Sequence, residues 1–144
     1  LSVGYIDAEY TEFVLGGVDV SSQRDVQNTP DWTGNASLTY ALPVEFGGAG
    51  GTLSFTGSAA YRSFTQQFEF AIPLLDQEAF WLLDASIGWI SGNDRWRVGL
   101  HGRNLADKRH VTSGYNFPGA GTDDSVLAFY GNPRTYTATV EYRF

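Results

Sequence analysis

Apolar and polar positions alternate along most of this chain with a period of two. Between residues 31 and 44, Trp32, Gly34, Ala36, Leu38, Tyr40 and Leu42 fall on one side, and Thr33, Asn35, Ser37, Thr39 and Ala41 on the other. Such alternation belongs to a pleated strand, whose successive side chains point to opposite faces, and not to a helix. The pattern returns at 52–62, where Leu53, Phe55, Gly57, Ala59 and Tyr61 oppose Thr52, Ser54, Thr56, Ser58, Ala60 and Arg62. At 81–89, Trp81, Leu83, Ala85, Ile87 and Trp89 oppose Leu82, Asp84, Ser86 and Gly88; at 96–100, Trp96, Val98 and Leu100 oppose Arg95, Arg97, Gly99, His101 and Arg103. The last run is the most regular, with Tyr136, Ala138, Val140, Tyr142 and Phe144 alternating with Thr135, Thr137, Thr139, Glu141 and Arg143. Residues 1–13 also read as a strand, but both faces carry apolar residues, so its inward face stays open. The expectation is an all-β chain, an antiparallel meander of about six strands with no helix.

The connections sort into two kinds. Two are short: 43–51, which starts at Pro43 and is rich in glycine, and 91–94, where Gly92-Asn93 offers residues tolerant of positive φ. Three are long, at 15–30, 63–78 and 106–133, and they alternate in sequence with the short ones. Short turns at one edge and long loops at the other are the plan of an outer-membrane β-barrel. Half of a soluble sandwich, with the apolar side as core, fits the alternation equally well. The position of the aromatics separates the two readings. Tyr136 and the Tyr142/Phe144 pair flank Ala138 and Val140, Trp81 and Trp89 flank Leu83, Ala85 and Ile87, and Trp32 and Tyr40 bracket a third run less cleanly. A tilted membrane strand of about 9–11 residues carries aromatic girdles at both interfaces with aliphatic residues between them.

Composition narrows the field. Charged residues are 17% and aromatics 15% of 144 residues, poorer in charge than the ~25% of soluble domains, so disorder and coiled coil are excluded. Cysteine is absent, which removes disulfide scaffolds, thiol catalysis and cysteine-ligated zinc, and weakly favours a non-cytosolic compartment. The net charge of −7 argues against nucleic acid, or an anionic lipid surface, as the main partner. That charge is uneven: residues 1–94 hold twelve Asp/Glu against two Arg, and 95–144 hold seven Lys/Arg against four Asp/Glu. No Met starts the chain, no basic-then-apolar leader is present, and the apolar run at 80–83 is far short of the ~20 residues of a membrane helix. The expectation is an excised or mature segment.

Candidate chemistry is sparse. On the barrel reading the polar face is interior, lined by Asp84, Arg95, Arg97, His101, Arg103, Glu141 and Arg143, where arginines can pair with carboxylates on neighbouring strands. This reads as a hydrated, ion-paired lining without catalytic duty. His101 and His110 lack HxH or HExxH spacing, no Ser-His-Asp set is assignable, and 47–51 has no GKS/GKT ending. No catalytic residue, metal site or cofactor is therefore expected. In the longest loop Tyr115, Asn116, Phe117 and Tyr130 are candidates for ligand contact, because loop aromatics beside Gly and Asn make adaptable contacts; packing of the loop itself is the other reading. Asp123 and Asp124 read as a solvated loop tip or as residues that repel or bind ions.

Five stretches carry a resemblance to a known family. "LLDASIGW" at 82–89 is followed by "RWRVGLHGRNLADKR" at 95–109, a strand ending in N-L-x-D, and then by "GNPRTYTATVEYRF" at 131–144; "GYIDAEYTEF" at 4–13 and "NTPDWTGNASLTY" at 28–40 precede them. In order and spacing these resemble the late barrel strands of TonB-dependent outer-membrane receptors. One departure is His110, where the family usually places an aromatic residue. The resemblance implies that residues 1–144 are the C-terminal portion of the receptor barrel domain, 22-stranded in the parent, with the plug, the TonB box and earlier strands upstream. Six strands are too few to close a barrel of at least about 8. It further implies an active importer of a scarce ligand such as a siderophore, cobalamin or sugar, energised through TonB and not an enzyme, in the outer membrane of a Gram-negative bacterium. Implied partners are outer-membrane lipid, the barrel-assembly machinery, the TonB complex through the N-terminal part, and a small-molecule ligand, with no nucleic acid. Phe144 with Tyr142, Val140 and Tyr136 is similar to the C-terminal assembly signal of such chains, and the same residues serve equally as lipid-facing anchors. Two alternatives stay open: a soluble β-sandwich binding module, and a small complete barrel with further strands hidden in 15–30 and 106–133.

Overall fold

The computed structural model of the chain describes residues 1–46, 48–119 and 125–144. Its strands in chain order are β1 (Ser2–Tyr5), β2 (Val14–Leu15), β3 (Val18–Asp19), β4 (Trp32–Phe46), β5 (Ala49–Arg62), β6 (Phe80–Ser91), β7 (Trp96–Arg103), β8 (Val111–Phe117), β9 (Ser125–Tyr130) and β10 (Thr135–Tyr142). Six of them form one antiparallel sheet in the order β1-β4-β5-β6-β7-β10. The expected six-strand meander is thus present. The remaining four make two small hairpins, β2–β3 and β8–β9, inside two of the long loops. They pair with each other and not with the sheet, and β1 and β10 are its two free edges, so among the described residues the sheet does not close into a complete small barrel.

The first strand is shorter than the 1–13 expected. β4 begins at Trp32, opposite Tyr5, and beyond the Ile6 N–H to Asp31 carbonyl bond the ladder to β4 ends, Glu9 making only an isolated bridge to Asp25. Register also settles its facing: Val3 lies against Gly34 and Tyr5 against Trp32, so Val3 and Tyr5 belong to the apolar side.

That apolar side is continuous. Leu42, Leu53, Trp89, Val98 and Val140 form one row across the sheet, and Tyr40, Phe55, Ile87, Leu100 and Ala138 the next. A sandwich would bury these rows under a second sheet; here Leu38 is 77% exposed, Leu100 51% and Val140 69%. On β6 the apolar positions Trp81, Leu83, Ala85 and Ile87 are exposed while Leu82, Asp84, Ser86 and Gly88 on the polar side are half-buried. The sheet therefore curls around its polar face, and among the described residues nothing covers the apolar one. The sandwich reading is overturned by that inversion.

Buried apolar residues lie elsewhere. Ile72, Leu75 and Phe80 are buried, and Leu75 is completely so. They belong to the 63–79 loop and the start of β6, where the long loops interlock. Thr65 and Gln77 bridge the loop to itself, and the Gln77 side-chain oxygen accepts the Val111 N–H of β8 at 2.6 Å. Gly114 of β8 is the close approach: a Cβ there would sit 2.5 Å from Leu75. The 6–31 loop is tied in by the Asp25 N–H to the Glu69 carbonyl, the Asn28 N–H to the Gln66 carbonyl, and Gln27 to the Glu69 carboxylate at 2.7 Å.

Turn chemistry follows the short/long plan with one correction. Positive φ in the 91–94 turn falls on Asp94 (56°) and not on Gly92-Asn93. Asn93 instead accepts from Ser91 Oγ at 2.7 Å and from the Arg95 N–H at 3.1 Å, an Asx turn. Gly92 is required for a different reason, since a Cβ there would lie 3.1 Å from the Gly50 carbonyl oxygen.

The N-L-x-D stretch is a knot between three strands. Asn104, buried and at φ 49°, donates its N–H to Asp84 on β6 (2.8 Å) and its side-chain amide to the carbonyls of Lys108 and Asn132 (3.0 Å each), and accepts the Lys108 N–H (2.8 Å). Leu105 N–H bonds the Leu83 carbonyl, and Asp107 accepts the Arg134 N–H at the entry to β10. Asn104→Ala removes three of these bonds and puts a Cβ-only side chain at a positive φ, so it should cost about 2–4 kcal/mol. A lowered urea midpoint of the detergent-refolded protein checks this; an unchanged midpoint would remove the knot from the stability account.

Candidate functional site

Three surfaces of this fold can act on something outside the chain. The first is the apolar band. Tyr136, Val140 and Tyr142 of β10 share its face, in register with Gly102, Val98 and Trp96. Tyr142 leans on Trp96 at 4.7 Å and meets Phe144 edge-on at 5.1 Å, and Phe144 is fully exposed. At the other end of the sheet Tyr5 packs on Trp32 (4.6 Å) and Tyr61 on Trp81 (4.8 Å). The rows between the two clusters are mostly small and aliphatic, with Tyr40, Phe55, Trp89 and Tyr136 as the aromatic members. Trp81 and Trp89 are eight positions apart on β6. At about 3.4 Å per residue and a tilt of about 40°, that separation spans roughly 20 Å along the sheet axis, close to the ~25 Å apolar band of a membrane barrel.

The second surface is the polar wall. Sequence reading anticipated arginine–carboxylate pairs between neighbouring strands. The described ion pairs are instead local: Arg143 to Glu141 at 2.6 Å on one strand, and Arg134 to Asp107 at 4.0 Å in the loop. Asp84 is claimed by the Asn104 backbone, which explains why it is not an arginine partner. Arg97 faces Glu141 in register, and Arg95 lies at the turn, its carbonyl accepting the Arg143 N–H. Hydroxyls dominate the rest, with Thr39 on Thr56 at 2.9 Å and His101 beside Thr139 at 3.5 Å. His110 has a different environment from His101, its ring stacked on Phe80 with centres 4.7 Å apart.

The third surface is the loop cap. Of the four loop candidates, Tyr115 and Phe117 lie together with Leu127 and Phe129 on the exposed face of the β8–β9 hairpin, Tyr115 meeting Phe129 edge-on at 6.0 Å. Asn116, opposite Val126, alternates to the other face, and Tyr130 sits at the hairpin base under the Arg109 guanidinium, 3.8 Å from its ring centre. The four therefore do not converge on one spot. Their strand conformation was readable in the Tyr-x-Phe and Leu-x-Phe alternation, which a loop assignment hid. Asp123 and Asp124 lie outside the described residues. Gln77, Leu75 and Arg109, which hold the cap together, had no motif to mark them.

The model of a family described as TonB dependent receptor-like, beta-barrel, matches residues 1–105. No solved structure matches the chain. The matched stretch ends within the Asn104 knot, and β10 beyond it continues the same sheet by pairing along β7.

The loop cap carries one group whose ionisation is coupled to its structure. Asp19 accepts the Phe13 N–H (3.0 Å) and the Ser21 N–H (2.9 Å), and those backbone bonds, the Phe13 bond first, with the Ser21 hydroxyl, hold its pKa below the ordinary Asp value. A depressed folded pKa stabilises the loop above the unfolded value and loses that stabilisation as pH falls through the folded one. Hydrogen-exchange protection at Phe13 and Ser21 should therefore fall on the acid side of the carboxylate range, and Asp19→Asn should flatten that dependence. Equal pH profiles for both proteins would contradict it.

Proposed function

We propose, on the premise that this chain belongs to the TonB-dependent receptor β-barrel family, that it is a late stretch of wall in an importer that takes up a scarce ligand with energy supplied through TonB. The family comprises outer-membrane receptors and transporters of Gram-negative bacteria and is not a family of enzymes. One observation carries the reading: an uncovered apolar face, continuous over six strands and bounded by aromatic clusters, on a sheet that curls around its polar side. In lipid that face is solvated by hydrocarbon, and the backbone groups of the inner strands β5, β6 and β7 pair along the ladders on both sides. The free edges of β1 and β10 are what a piece of a larger closed wall presents.

Within that parent, residues 1–144 form the C-terminal portion of the barrel, with the plug and the TonB-contacting segment upstream. The long loops face outward, and Tyr115 and Phe117 on the exposed hairpin face are the best placed of the loop aromatics to meet an incoming ligand. Asn116 and Tyr130 contribute to that cap from its other sides. Phe144, Tyr142, Val140 and Tyr136 form the strand that the assembly machinery would read, and then serve as lipid anchors.

Spin labels at Ile87 and Ala138 in the complete gene product should report hydrocarbon and one at Thr139 water; a water-like signal at Ala138 overturns the lipid-facing assignment. Removal of Phe144 should lower the amount of protein inserted in the outer membrane while leaving the ligand affinity of the inserted fraction unchanged. Normal insertion would restrict Phe144 to anchoring.

A further inference from the structure

A basic cleft at the base of the third long loop is not accounted for by transport or by assembly. It has a volume of about 420 Å³ and is lined by Asp107, Lys108, Arg109, Tyr130, Gly131 and Pro133. The Arg109 guanidinium carbon lies over the Tyr130 ring, 3.8 Å from its centre. A guanidinium held over a ring face makes no hydrogen bond to it and keeps its N–H donors for a tetrahedral oxyanion at the ring edge. The one acid of the cleft, Asp107, is engaged by Arg134 through its N–H and guanidinium. The chain is acidic as a whole, and these cations belong to the C-terminal third, where positive charge is in excess.

Position decides what such a cleft can meet. Leu105, two residues before Asp107, sits over Gly102 beside Tyr136, since a Cβ on Gly102 would lie 2.6 Å from Leu105 and 3.2 Å from the Tyr136 ring. Tyr136 belongs to the apolar face, so the loop leaves the sheet on that side. Next to the cleft, His110 and Gly131 pack together with the His110 ring on Phe80 of the polar side. Their neighbours Arg109 and Tyr130 pair on the opposite side of the loop base. The cationic fork thus follows directly on the Leu105–Tyr136 contact at the long-loop end of the apolar face, the end that lies nearest the headgroups if the face meets lipid.

We propose that the Lys108–Arg109–Tyr130 cleft holds the phosphate of an anionic lipid headgroup in the outer leaflet. This rests on the lipid-facing reading of the apolar band. Lys108 supplies a point charge, Arg109 the directional fork and Tyr130 a flat wall for the sugar or glycerol that carries the phosphate. Lipid already packed against Tyr136 and Leu105 brings its headgroup to the cleft at high local concentration.

The test is native mass spectrometry of the complete gene product in detergent, titrated with lipid A, phosphatidylcholine or inorganic phosphate. In parallel, tryptophan quenching by brominated phosphatidylcholine is read in vesicles. Lipid A should be retained over phosphatidylcholine. The Lys108→Gln/Arg109→Gln double variant should bind lipid A at least about tenfold more weakly, as loss of two charge-assisted contacts implies. Arg95→Gln, at the opposite turn, should not change it. Unchanged quenching certifies that the double variant is folded and inserted. Equal lipid A binding by wild type and double variant, with quenching intact, overturns the headgroup site and leaves the lipid-facing face standing. Absence of quenching in the wild type overturns both. Inorganic phosphate that displaces lipid A at equal concentration would assign the cleft to a soluble anion and overturn the lipid commitment.

Discussion

Everything in this molecule depends on register. Side chains alternate with a period of two, so a slip of one residue in any ladder would carry an apolar row to the hydroxyl-lined side and a hydroxyl row to the outside. From Leu42 through Leu53, Trp89 and Val98 to Val140, five strands keep one row aligned without a bulge. The long strands are pinned at both ends. At the short turns, Asn93 and the close Gly92–Gly50 contact fix the starts of β7 and β5. At the other end the Asn104 knot fixes where β7 stops and β10 enters.

The sheet also reverses the usual division of labour between core and surface. In a water-soluble domain the apolar face would be the interior and the loops the solvated periphery. Here the water-excluded apolar residues, Ile72, Leu75 and Phe80, are in and beside a loop, and the face with the largest apolar area is the outside of the wall. In the proposed setting lipid supplies the missing cover for the wall, whereas the loops, which would face water, build a core of their own.

The wall was legible in the sequence because its cause is local. Two-residue alternation survives in Trp81 to Trp89 and Tyr136 to Phe144 whatever the partners are, and turn lengths announced which strands are neighbours. The cap was far less legible. Gln77 bonding Val111, Leu75 seated against Gly114, and Glu69 receiving both Asp25 and Gln27 are long-range contacts between segments with no periodicity. The β8–β9 hairpin did carry alternation, but the two strands are short and flank a glycine-rich stretch, which reads as loop. The N-L-x-D motif stands out in the sequence only by its resemblance; its role as a buried hydrogen-bond hub follows from Asp84 and Asn132 arriving beside it.

The interlocking of the loops limits how such a cap can diversify. The 63–79 segment is the keystone, bonded on one side to the 6–31 loop and on the other to the β8–β9 hairpin. Exchange of the 6–31 loop would deprive Glu69 of Asp25 and Gln27, and exchange of the β8–β9 hairpin would deprive Gln77 of Val111 and Leu75 of its contact at Gly114. Variation in this region is therefore expected to proceed by correlated replacement of all three segments, a modular cassette carried on an invariant wall.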